Sequence, residues 1–172
     1  MPKLKQDADS ISHEANLLIS ILVRYPEIGT IKYDADSGAI ELTFMLSGIP
    51  TAAELNHIKA KLLASIDAYH ALEGIAKGQV AVRLSSCDQV AMLTIHRDVA
   101  TLSRGEMTLV ISLIRESLPD RLVVDENDAV LEEDLLIQEE VIGDMLESMK
   151  KERSGSGLIG FREDGRVLVF NK

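Results

Sequence analysis

Between Asp120 and Glu147 the chain carries eleven carboxylates and a single base, Arg121. Carboxylates at that density can ligate a hard cation, meet a basic partner, or keep one side of a helix wet. A Ca²⁺ loop of the EF-hand type needs oxygen ligands at alternating positions, Gly at its sixth place and Glu at its twelfth. Counted from Asp125, those places hold Val130 and Leu136, so the pattern fails at both diagnostic positions. Read as a helix, the stretch is coherent. Asn127 or Asp128 caps it, and acids in its first turn complement the positive end of the helix dipole. Leu131, Leu135, Gln138, Ile142, Met145 and Met149 then recur at steps of four and three. Glu132, Glu133, Glu139 and Glu140 lie mostly off that stripe. We expect them to face water on a core-packing helix, with a partner surface as the runner-up.

The other residues able to do chemistry are dispersed. His13, His57, His70 and His96 form no HxxxH or HExxH pair, the spacing that puts two metal ligands on one helix face. His57 and His70 share a helix but point to opposite sides at about 100° per residue. Cys87 falls at a hairpin tip, and the nearest histidine in sequence, His96, lies far along the same strand, out of reach for a nucleophile–base pair. His96-Arg97-Asp98 spells the tripeptide of a protein-kinase catalytic loop, without the downstream Asn, the DFG or the Gly-rich loop. Ser154-Gly155-Ser156-Gly157 follows a helix, whereas a phosphate-binding loop precedes one. The sequence therefore assigns no catalytic residue, no metal ligand and no cofactor site, and none of these motifs ties the chain to a known family.

The elements that would position these residues read clearly. Asp9 or Ser10 caps a first helix with Ile11, Ala15, Leu18 and Leu22 on one face, and Pro26 ends it. Two runs of alternating hydrophobicity flank the Asp34–Gly38 turn and predict a hairpin. Thr51 with Glu54 forms a capping box for a second helix ending at Gly74. A second hairpin spans Val80 to Arg97 around SSCDQ. Ser103 with Glu106 opens a third helix, which Pro119 stops, and RLVV (Arg121–Val124) predicts a short strand. After the acidic helix, Asp164-Gly165 between two apolar runs predicts a last hairpin, with Glu163 opposite Arg166, Phe161 opposite Leu168 and Ile159 opposite Phe170.

This order predicts an α+β fold: a mostly antiparallel sheet with helices packed on one face. The helix–hairpin units suggest a duplication, α-ββ-α-ββ then α-β-α-ββ, and LLIS (Leu17–Ser20) matches LVIS (Leu109–Ser112) in the first and third helices. We expect a flexible arm over 1–8, a first half over 9–99 and a second over 100–172, sharing one core.

Composition limits the function. At 172 residues, 46% hydrophobic and 27% charged, the chain is globular in character, and no apolar run approaches the ~20 residues of a membrane span. One cysteine and no signal-like N-terminus point to the cytoplasm. The net charge of −10 falls entirely within 120–147, since the remaining 17 acids and 17 bases cancel. That balance, with 3% aromatics and no Trp, argues against nucleic-acid binding. One face of the last hairpin is apolar and the other partly so. Helices could cover both, or a second copy of the chain one. We expect the second copy, with Arg162, Arg166, Val167 and Val169 joining Glu132, Glu133, Glu139 and Glu140 as the candidate partner surface. The expectation is a non-catalytic, self-associating protein-binding, regulatory or scaffold module. The alternatives are a small-molecule enzyme whose pocket the sequence hides, and an RNA- or ribosome-associated protein using a C-terminal basic cluster (Lys150, Lys151, Arg153, Arg162, Arg166, Lys172).

Overall fold

Alternation of apolar and polar residues brings six strands into one sheet. The computed structural model describes residues 14–76, 78–125, 132–151, 157–163 and 166–171, apart from the side chains of 132, 133 and 151. The N-terminal arm, the start of the first helix with His13, the residues proposed to cap the acidic helix, Ser154–Ser156, Asp164-Gly165 and Lys172 lie outside the described residues. The strands are β1 (Thr30–Asp34), β2 (Ala39–Ser47), β3 (Val80–Cys87), β4 (Val90–Asp98), β5 (Leu158–Glu163) and β6 (Arg166–Asn171). They run in the order β3-β4-β2-β1-β5-β6, every neighbouring pair antiparallel. The helices are α1 (14–24), α2 (Ala52–Glu73), α3 (Arg104–Ser117) and α4 (Glu132–Lys151). The expected α+β fold with an antiparallel sheet is what forms.

Register decides which side chains are buried. One row across the sheet reads Val82, Ile95, Leu42, Ile31 and Gly160, and the next reads Val80, Arg97, Ile40, Tyr33 and Leu158. These residues share a face with Phe44, Leu46 and Leu93, and the helices cover that face. Leu17, Leu18, Ile21, Leu22, Ile58, Leu62, Ile66, Met107, Val110, Ile114, Ile142 and Leu146 form a single hydrophobic cluster with the strands. Gly160 makes this packing close: a Cβ there would stand 2.9 Å from Ile31 Cγ2 and 3.0 Å from Leu22 Cδ1.

Local chemistry sets the ends of the elements. Asp34 accepts from Asp36 N and Ser37 Oγ, and Gly38 closes the turn at φ 69°. Thr51 and Ser103 cap α2 and α3 through Glu54 N and Glu106 N, and Gly74 ends α2 in the left-handed region. The second hairpin is tighter than expected. Ser85, Ser86 and Cys87 belong to β3, and the turn narrows to Asp88-Gln89 with Asp88 at φ 56°. The strand expected over 121–124 reduces to one bridge, Leu46↔Leu122. Here β1 stops short of the end of β2, so Arg121 O accepts from Ser47 N and Ser47 Oγ, and Val123 N donates to Met45 O. The last hairpin holds the predicted pairs Glu163↔Arg166, Phe161↔Leu168 and Ile159↔Phe170.

Candidate functional site

The densest set of ionisable groups is buried beneath the helices. Along β4 the alternation that buries Ala91, Leu93 and Ile95 also buries Arg97, whose side chain is 1% exposed. On α2, His70 extends the stripe Ile58, Leu62, Ile66. Glu106, three residues after the N-cap of α3, turns inward between them. Arg97 donates from Nε to Glu106 Oε2 at 2.5 Å and from Nη2 to Glu106 Oε1 at 2.8 Å, while His70 Nε2 lies 2.5 Å from Glu106 Oε1. Arg97 Nη1 donates to Asp98 Oδ1 at 2.6 Å, to Gln79 O and to Thr101 Oγ1. Burial alone would raise the Asp98 carboxyl. The Thr101 hydroxyl, the Arg97 charge and backbone N–H donors, including that of Gln79, outweigh burial and hold it below the usual carboxylate value. The network joins β4, α2 and α3, with Arg97, Glu106 and His70 buried and Asp98 18% exposed at its outer end.

Among the described residues the other face of the sheet carries no helix. Its central row reads Ala81, His96, Glu41, Lys32, Ile159 and Phe170, and the next reads Arg83, Thr94, Thr43, Thr30, Phe161 and Leu168. Glu41 accepts from Arg83 Nη2 at 2.8 Å and stands 3.4 Å from His96 Nδ1. Lys32, Asp34, Ser37, Ala39, Glu41 and His96 line a depression of about 80 Å³, well under the ~300 Å³ at which ligand pockets begin. Toward β6 the face turns apolar. The rings of Phe161 and Phe170 stack at 5.5 Å, and Phe170 is 51% exposed.

The residues picked out from sequence separate between these regions. Glu139 is half-buried and accepts from Arg24 of α1 through Nε and Nη2. Glu140 is exposed, and with Asp144, Glu147, Gly143 and Leu146 it faces Ser103, Arg104 and Gly105 across a groove of about 500 Å³. Glu132 and Glu133 lie in α4, and their side chains are outside the described residues. Arg162 is turned inward and caps α1, donating to the carbonyls of Ile28, Leu22 and Tyr25. Burial lowers its pKa, against the opposing pull of Asp125 and Glu27. Val167 and Val169 pack half-buried against the core, and Arg166 is exposed at the hairpin tip. Lys150 pairs with Glu147, so the described bases of the C-terminal cluster are dispersed. His57 is exposed on α2 and Cys87 is an exposed free thiol. Among the described residues no group of three or more His, Cys, Asp or Glu could hold a metal, and no helix is long and apolar enough to cross a membrane.

Sequence reasoning missed the buried network because each member had a sufficient local explanation. Glu106 completed a capping box and Arg97 ended a strand. The available signal was parity: Arg97 stands two residues beyond Ile95 in an alternating strand, on its buried side. No protein-family model matches this chain, and neither a curated protein nor a solved structure matches it.

Proposed function

We propose that this protein is a non-catalytic protein-binding module that self-associates through the open face of its sheet. The observation that carries the reading is the one-sided covering of that sheet, with Ile159, Phe161, Leu168 and Phe170 on the side away from the helices. Size supports it. Six strands spaced ~4.8 Å apart and averaging about seven residues at ~3.3 Å give a footprint on the order of 700 Å². That is close to the ~800 Å² each partner contributes to an interface of standard size. Charge supports it as well. Lys32, Arg83 and Arg166 balance Asp34, Glu41 and Glu163 on this face, and Asp98, in the same row as Asp34, is paired with Arg97, whereas the acid excess of the molecule lies in 120–147. A second copy therefore meets no net repulsion here, and a patch facing itself across a two-fold axis is the commonest route to a dimer. The exposed, unpaired Cys87 fits a reducing compartment such as the cytoplasm.

Light scattering across a concentration series tests the reading. The chain should run as a two-chain species, and Phe170→Arg, at an exposed site, should convert it to single chains with an unchanged circular dichroism spectrum. A wild-type chain that stays single at its highest soluble concentration, or a Phe170→Arg chain that dimerises as tightly, overturns it.

A further inference from the structure

On α4 the buried stripe is Ile142, Leu146 and Met149. The opposite side carries Leu136 at 64%, Ile137 at 59% and Val141 at 36% exposure. At about 100° per residue these three share one arc with the exposed Asp134, Glu140, Asp144 and Glu147 and with the helix position of Lys151. Helix surfaces normally give water their charges and keep their large aliphatics inward. Here acids and aliphatics share the outer side. The acids also form one wall of the groove of about 500 Å³ whose other wall is Ser103, Arg104 and Gly105. Glu140 and Asp144 thus line that groove opposite Arg104, while Glu147 pairs with Lys150 at 2.8 Å.

We propose that this side of α4 is a second docking surface, and that its occupant is a basic amphipathic helix of another protein. The apolar stripe of such a helix would cover Leu136, Ile137 and Val141, and its Lys or Arg side chains would enter the groove toward Glu140 and Asp144. Charge complementarity selects this occupant. Residues 120–147 hold a net −10 while the rest of the chain is neutral, so a second copy is repelled where a cationic segment is attracted. Anchors at i, i+3, i+4 and i+7 are the means by which an amphipathic helix engages such a surface.

A synthetic helical peptide of leucine and lysine at amphipathic spacing is the probe, titrated onto the full-length protein by fluorescence anisotropy, with a leucine–glutamate peptide of the same pattern as its counterpart. The lysine peptide should bind one per chain, with affinity falling steeply as salt rises, and the glutamate peptide should not bind. Leu136→Ser with Ile137→Ser, at exposed positions, should weaken binding about ten-fold, as should Glu140→Gln with Asp144→Asn. Equal binding of both peptides, or undiminished binding to either double variant, overturns the proposal. Phe170→Arg should leave peptide affinity unchanged, so this surface and the sheet-face dimer succeed or fail separately.

Discussion

Arg97 and Glu106 show what one buried pair demands of its surroundings. Each is 1% exposed, and removing one partner strands the other's charge, which costs about 3–5 kcal/mol. Glu106→Gln should therefore lower stability in urea by about that much. Glu54→Gln, altering the equivalent place at the exposed start of α2, should cost under ~1 kcal/mol. Asp98 adds a pH dependence of definite sign. Its carboxyl titrates lower in the folded chain than in the unfolded one, so its contribution is complete above the unfolded value near 3.8 and is lost as pH falls through the folded value. Wild type should exceed Asp98→Asn in urea stability at pH 7, with the gap closing under acid conditions. A gap that widened with acid would show that Asp98 is not charge-stabilised.

At the scale of the element, local rules were legible and distant partnerships were not. Asp164-Gly165 fixed the register of the last hairpin from the sequence, and Thr51, Gly74 and Ser103 marked helix ends, because each acts within four residues. The assignment of the hairpin's two faces was not legible, since one is apolar and the other partly so. The helix layer chose Leu158, Gly160, Val167 and Val169, leaving Phe161 outward. Arg162 read as a surface base for the same reason: the carbonyls it caps are more than 130 residues away in sequence. Leu158→Ala should cost about 2–5 kcal/mol. Phe161→Ala, half-buried on the open face, should cost nearer ~1 kcal/mol in a single chain, compared by denaturant unfolding at low protein concentration.

The whole molecule is electrically lopsided, and the two proposed surfaces divide along that line. Contact through the neutral sheet face should respond weakly to salt, and capture of a cationic helix by α4 should respond strongly. If the open face is an interface, thermal midpoints should climb with protein concentration, and Phe170→Arg should abolish the climb. Net charge and its confinement to 120–147 were legible from composition alone. The expected stripe is buried at Ile142 and Met149, with Met145 packed against the core and Leu146 joining it, but nothing in it marked Leu136, Ile137 and Val141 as the aliphatics left in water.

The pairing of β1 with β5, and of α1's last carbonyls with Arg162, has a consequence for biosynthesis. A ribosome releases residues 14–34 long before it makes 158–162. Until then Leu22 O at the end of the first helix lacks its Arg162 donor and the first strand has an unpaired edge. The sheet cannot be completed until β5 is made, and a product stopped at residue 157 should be degraded by added protease under conditions in which the protein through residue 172 survives.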